Sequence, residues 1–236
     1  MRTLNGQTVA IVGGSSGIGL ATARAVVQQG ATAILISRSP AKLQAAAASI
    51  GTGVKTVAVD MLDHAAVNRA FSSLGTIDHV VLTAVADEYG IFGIVSEITP
   101  EQIEQSFNKL RGYAHVTKAV APVLRKDGSL TLLSGAGAVK PPLATSLAAA
   151  ANASIVGFAK ALAMELAPVR VNTVMPGAVD TPLHGQRVED IRKWATQLPA
   201  RHVGSADDIA GAICFVISNP YVTGHTLVID GGYLMT

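Results

Sequence analysis

The sequence predicts a single doubly wound α/β domain: a seven-stranded, mostly parallel sheet with helices on both faces. Three observations lead there. Apolar strand-like runs alternate with longer helix-like segments along the whole chain. A glycine-rich turn joins the first strand to the first helix. No Ser/Gly/Pro-rich linker or composition break divides the 236 residues. Read as one unit, a chain of that length buries roughly 70–75% of the surface its unfolded form exposes. Strands spaced by helices of this size need right-handed crossovers, which cover the sheet on both sides.

The elements follow in order. The run Thr8-Val9-Ala10-Ile11-Val12 reads as a buried strand, and residues 20–27 as a helix ending at Gly30. Further strands are expected at 31–36, 54–59, 79–84, 129–133, 169–175 and 225–229. Helices are expected near 40–49, 63–73, 100–124, 143–167, 186–197 and 205–218. The alanine run 148–151 reads as a close helix–helix contact.

Between the first strand and helix lies Gly13-Gly14-Ser15-Ser16-Gly17-Ile18-Gly19. Glycines let the backbone turn tightly and approach a pyrophosphate, and the free N–H groups at the helix start hold that anion. The flanking strand and helix give the pattern its meaning, so Gly13, Ser15, Ser16, Gly17, Ile18 and Gly19 are candidate dinucleotide contacts. The second strand carries the cofactor choice. It ends in Ser37 and Arg38, where an acid would otherwise bond the ribose 2′-hydroxyl. A hydroxyl and a guanidinium bind a 2′-phosphate instead, so NADP(H) is expected. After the third strand come Asp60 and Met61. Asp60 either accepts from an adenine amino group or caps the helix that starts near Asp63.

Composition narrows the class. Hydrophobic residues make up 49% and charged residues 14%, a lean surface that points to outer faces buried in an oligomer. A net charge of +2 without a Lys/Arg cluster gives no case for nucleic acid. The single cysteine, Cys214, excludes an internal disulfide and fits a reducing compartment, so a cytoplasmic location is expected. No long apolar stretch opens the chain, and none reaches 18 uninterrupted apolar residues; neither a signal peptide nor a membrane span is expected.

From about Thr8 to Tyr233 the chain resembles the short-chain dehydrogenase/reductase family. Gly13, Gly17 and Gly19 match its Thr-Gly-x-x-x-Gly-x-Gly, with Val12 in place of the threonine, and Asp60-x-x-Asp63 is similar to its adenine element. Arg170-Val171-Asn172-Thr173-Val174-Met175-Pro176-Gly177-Ala178-Val179-Asp180-Thr181 is similar to its Arg-Val-Asn-x-x-x-Pro-Gly-x-x-x-Thr. The tail from Tyr221 to Gly232 looks like its last strand and turn. The resemblance implies a nicotinamide cofactor and a small-molecule substrate. It further implies cofactor contacts at Ala84, Val85, Pro176 and Gly177, at the backbone of Val179 and the hydroxyl of Thr181. It also implies a homodimer or homotetramer built on the helices at 100–124 and 143–167.

The catalytic half departs from the family. There, a Tyr-x-x-x-Lys on the helix after the fifth strand gives the proton and holds the ribose. Aligned through Ile155-Val156-Gly157-Phe158, Ala148 stands at the tyrosine position and Asn152 at the lysine position. Counting from Gly128-Ser129 puts Gly135 at the family's serine, whereas counting back from Gly137 selects Ser134. Lys109, three residues before Gly112, takes the place of the family's asparagine, and Leu82-Thr83-Ala84-Val85 replaces Asn-Asn-Ala-Gly. Lys109, Ser134 and Asn152 are therefore the candidate catalytic residues.

No replacement donor stands out elsewhere. The six histidines lack metal-ligand spacing, so no metal is expected. Tyr113 and His115 read as packing or surface residues on the helix of Lys109, and Tyr89 and Lys140 lie in loops that could border a site. His184 and Trp194 fall in 183–199, where the family carries a substrate lid; Trp194 either closes over substrate or anchors an amphipathic helix. Two readings stay open. One is an NADP(H)-dependent oxidoreductase with a non-standard site for a carbonyl, imine or alkene. The other is a non-catalytic NADP(H)-binding sensor or partner subunit.

Overall fold

The computed structural model describes residues 3–85 and 89–236, apart from the side chain of Gln186. In chain order the strands are β1 (Thr8–Val12), β2 (Thr32–Ser37), β3 (Val54–Ala58), β4 (Ile77–Leu82), β5 (Leu124–Leu133), β6 (Arg170–Pro176), β7 (Val179–Asp180), β8 (Gly204–Ser205) and β9 (Thr226–Ile229). The helices are α1 (Gly17–Gln28), α2 (Pro40–Ile50), α3 (His64–Ser73), α4 (Pro100–Ser106), α5 (Asn108–Val120), α6 (Ser146–Glu165), α7 (Val188–Ala195) and α8 (Ala206–Ser218). Seven strands form one sheet in the order β3-β2-β1-β4-β5-β6-β9, every pair parallel.

Continuous Val/Ile/Leu runs suit strands buried on both faces, and the two cores show it. Ile34, Val80, Leu82, Leu130 and Leu132 point to one face and meet Phe71 of α3, Tyr113 of α5 and Ile155 of α6. Val9, Ile11, Leu35 and Val81 point to the other and meet Val26 of α1 and Ile213 of α8. After β3 the chain crosses back to the far side of β1, so strand order reverses between β1 and β4. A crevice opens at such a switch point, outside the carboxyl ends of the strands.

Local signals set many of the helix starts. Ser39 accepts from Lys42 N at 3.3 Å ahead of Pro40, and Asp63 accepts from Ala66 N at 2.9 Å. Thr99 with Gln102 and Ser205 with Asp208 form capping boxes on α4 and α8. The helix expected over 100–124 is instead two helices that stop at Val120. The Phe107 N–H reaches only back to Glu104 O, tightening the turn between them, and Pro122 ends any continuation. Strand β5 begins five residues earlier than expected, its register broken between the pairings of Ile77 and His79. A separate two-stranded pairing, β7 with β8, was not expected. Helix α6 is long and apolar enough, by length and composition, to cross a membrane; it packs against β6 and α5.

At the opposite end of the sheet from the crevice, His79 is held in a buried network. Its Nε2–H donates to Gln7 Oε1 at 3.0 Å, which leaves Nδ1 to accept from the Ser129 hydroxyl at 2.8 Å. Burial, then the Arg170 cation, push the imidazole down to about 4, against the smaller pull of Asp78 and Asp127. The folded protein therefore refuses a proton that the unfolded chain takes below about pH 6.5. This network is fully favourable at neutral pH and loses ground as the pH falls from 6.5 towards 4, by about 2 kcal/mol at pH 5. Urea unfolding at pH 7 and pH 5 should show that loss in the parent protein. It should shrink in His79→Gln, and an equal loss in both would reject the assignment.

Candidate active site

The crevice at the switch point is an open cleft of about 270 Å³. One wall is the β1–α1 turn, from which Gly13, Ser15, Ser16, Gly17, Ile18 and Gly19 line the cleft. Two of its glycines are dictated by closeness. Gly13 adopts φ +93°, and a Cβ there would lie 2.6 Å from Ala84 N; a Cβ on Gly19 would lie 2.3 Å from Gly13 O. Thr83 locks the two strand ends together, its N–H and hydroxyl both donating to Val12 O, at 2.8 and 3.0 Å. Ser16 occupies the N-cap of α1 in extended conformation without a side-chain cap bond, so it does not cover the helix's first N–H groups.

Ser37, Arg38, Ser39 and Lys42 line the far end. The Ser37 hydroxyl oxygen is buried without a hydrogen-bond partner among the described residues, a costly arrangement that a ligand oxygen would relieve. Arg38 is exposed beside it. Asp60, Met61 and Leu62 line the cleft as well. Of the two readings of Asp60, the helix cap is corrected: Asp63 caps α3, while Asp60 Oδ1 accepts from Leu62 N at 2.9 Å and stiffens the turn.

The other end is bounded by Ala84 and Val85 on one side and Thr181, Pro182 and Leu183 on the other, with Leu133 between. Of Pro176, Gly177, Val179 and Thr181, only Thr181 reaches the wall. Gly177 packs against the chain at Asp230, where a Cβ would meet Asp230 Cα at 2.8 Å, and its N–H donates to Ile229 O. Val179 is buried in β7, against β8. These residues brace the turn that presents Thr181.

Next to Leu133, three elements converge on a buried polar cluster. Lys109 of α5 is 8% exposed, and its ammonium donates to Asn152 Oδ1 of α6 at 2.6 Å. The Ser134 hydroxyl donates to Asn152 O at 2.8 Å. Gly135 faces the Asn152 side chain, where a Cβ would lie 3.3 Å from its Nδ2. Ala148, one helical turn before Asn152, is buried. The structure thus joins Lys109 and Asn152; the Ser134 hydroxyl is bonded to the α6 backbone, and Gly135 faces the Asn152 side chain.

The remaining candidates have structural explanations. Tyr113 is wholly buried, its hydroxyl donating to Leu82 O at 2.7 Å, and His115 Nδ1 donates to Met61 O at 3.1 Å. Lys140 donates to Tyr233 O and Thr236 Oγ1, while Trp194 meets the Tyr233 ring edge-on at 5.3 Å. Tyr89 and His184 face each other, hydroxyl to Nδ1, at 2.5 Å. Sequence reasoning missed Ser39, Lys42, Thr83 and Leu183; the signal for Lys42 was its place four residues after Arg38.

Comparison with known proteins agrees with this geometry. A family model described as enoyl-(acyl carrier protein) reductase matches residues 12–234. The chain belongs to the short-chain dehydrogenase/reductase family. The 3-oxoacyl-[acyl-carrier-protein] reductase of Bos taurus is 31% identical over 98% of this chain and 99% of its own length. A solved small-chain dehydrogenase in complex with NADPH superposes with a TM-score of 0.81, at 30% identity, over 98% of this chain and 100% of that one. An NADPH-bound short chain oxidoreductase from Pseudomonas aeruginosa PAO1, described as containing an atypical catalytic center, gives 0.90 at 26% identity, over 98% of both chains. The family binds a nicotinamide cofactor, and these relatives are oxidoreductases. The residues present fit such a group: a glycine cradle that a single Cβ would fill, and an orphan hydroxyl beside an exposed guanidinium.

Proposed function

We propose that this protein is an NADP(H)-dependent oxidoreductase acting on a small carbonyl, imine or alkene, with a reacting end that lacks the family's tyrosine–lysine pair. The observation that carries this reading is Lys109, an ammonium kept under cover and aimed at Asn152 where the family's lysine is expected. The bound dinucleotide supplies the hydride. The N–H groups of the β1–α1 turn hold its pyrophosphate, and Asp60 and Met61 border its adenine. Ala84, Val85 and Thr181, braced by Pro176, Gly177 and Val179, flank its nicotinamide. Lys109 stabilises negative charge developing on the substrate oxygen or holds the ribose, and Asn152 orients it. Ser134 keeps α6, and so Asn152, in register with β5.

Ser37, Arg38 and Lys42 hold the 2′-phosphate. A charge-assisted contact contributes about 1.5–3 kcal/mol, so NADPH should bind on the order of tenfold to a hundredfold more tightly than NADH. Arg38→Asp should reverse that order in a fluorescence titration at moderate salt, and equal affinities in the parent protein would sink the assignment. A screen of carbonyl, imine and activated-alkene substrates with NADPH then tests turnover itself.

A second reading, a non-catalytic NADP(H)-binding sensor or partner subunit, is favoured by Ala148, a methyl group where the family's proton donor is expected. We also propose a homodimer or homotetramer in the cytoplasm. Exposed Ile103, Phe107 and Met164, with the small exposed Ala150, Ala153 and Gly157 on α6, support close packing of these helices between copies.

A further inference from the structure

The segment between β7 and α7 forms a lid edge over the cleft. Pro182 and Leu183 wall the cleft, as does Val85, and the next residue after Leu183, His184, meets Tyr89, which follows Val85 in the chain. Hydroxyl and Nδ1 are 2.5 Å apart, linking residues 95 positions apart in the chain. Three residues beyond His184, the Arg187 guanidinium stands 4.2 Å from the centroid of the same Tyr89 ring, within range of a cation–π attraction. Phe92 supports that ring at 5.1 Å.

Each side of this contact is anchored separately. On the Tyr89 side, Gln102 Nε2 of α4 donates to Gly90 O at 3.0 Å and to Phe92 O at 3.2 Å. On the lid side, Arg192 pairs with Asp180 and Glu189, and Trp194 rests on Tyr233. Between His184 and Arg187 lies Gly185, at φ +51° and ψ −126°, a conformation open to glycine and strained for other residues.

We propose that the Tyr89–His184 hydrogen bond, reinforced by Arg187 on the Tyr89 ring, is a latch joining the lid to the β4 side across the end of the cleft and slowing release of the bound dinucleotide. The second half of this statement rests on the reading that the cleft holds NADP(H); the first half does not. Leu183 and Pro182 are part of the wall, so opening the latch opens the cleft at Val85 and Thr181. No chemical step passes through Tyr89 in this role, which makes it a positioning residue.

Two measurements on the full chain separate the halves. Tyr89→Phe keeps the ring for Phe92 and Arg187 and removes only the hydroxyl. In the free protein, trypsin should cut the lid at Arg187, Arg192 and Lys193 about three- to tenfold faster in Tyr89→Phe, the scale of one lost hydrogen bond. His184→Phe should match it, and the double variant should add nothing further. Unchanged cutting in Tyr89→Phe, or effects that multiply in the double variant, overturns the latch. In stopped flow, NADPH should leave Tyr89→Phe about three- to tenfold faster, with its association rate within twofold. Faster proteolysis with an unchanged release rate overturns the control of release. A parent protein that binds no NADPH overturns the cofactor reading and that same control, while the proteolysis result still decides the latch.

Discussion

Gly19→Ala is expected to cost more than any other single methyl group added to this chain's glycine turn. The new Cβ would sit 2.3 Å from Gly13 O and 2.6 Å from Thr83 Oγ1. Neither neighbour can yield cheaply. Gly13 belongs to the β1–α1 turn and has its own approach to Ala84, while Thr83 Oγ1 is bound to Val12 O. Overpacking typically costs 1–3 kcal/mol, and a clash with main chain lies at or above the top of that range, about 3 kcal/mol here. For a domain of this size that lowers the melting temperature by roughly 6–12 °C. Relief by shifting the start of α1 would move the very N–H groups assigned to the pyrophosphate. NADPH affinity should therefore fall more than about a hundredfold, roughly 3 kcal/mol. Gly211→Ala is the control: no atom lies within 4 Å of a Cβ built there, in the middle of α8. It should raise stability by up to about 1 kcal/mol through helix propensity. A Gly19→Ala protein that melts with the parent and binds NADPH normally would show that the turn is not the tight cradle described.

The same residues explain what a reader of the sequence can and cannot see. The strand runs and the glycine turn are local signals, and each produced its element near where the sequence put it, although β5 starts five residues earlier. The capping residues Ser39 and Asp63 do the same for α2 and α3. The division of α4 from α5 at Phe107 carries no breaker residue, because the turn tightens through one backbone bond to Glu104 O. Strands β7 and β8 are two residues each, too short for any period to show. Thr83 matters only because β1 and β4 bring it beside Gly13, and register between distant strands is not written in either one. The Ser134–Gly135 ambiguity has a sharper cause. Successive residues of extended chain face opposite ways, so miscounting by one sends the hydroxyl to the backbone of α6 and turns a hydrogen towards Asn152.

Lys109→Met should separate catalysis from packing. An ammonium buried to this degree stays charged only where hydrogen bonds replace its water, and Asn152 Oδ1 at 2.6 Å is one such partner. Methionine keeps most of the aliphatic stem but leaves the buried Asn152 Oδ1 without this donor, so the folded state should lose about 1–3 kcal/mol. Beyond that, loss of the group assigned to stabilise developing negative charge should lower kcat about 10²–10⁴-fold. NADPH affinity should stay within about threefold, because most of the dinucleotide contacts assigned here lie between the β1–α1 turn and Lys42. A protein that stays folded at the assay temperature while kcat falls by orders of magnitude is the signature of a functional lysine; a structural one would lose stability with turnover per folded molecule unchanged. Unchanged turnover removes Lys109 from the site. The double variant Ala148→Tyr with Asn152→Lys then decides between the two readings. If it reduces carbonyls strongly where the parent protein reduces none, the cleft was built to bind the cofactor without consuming it.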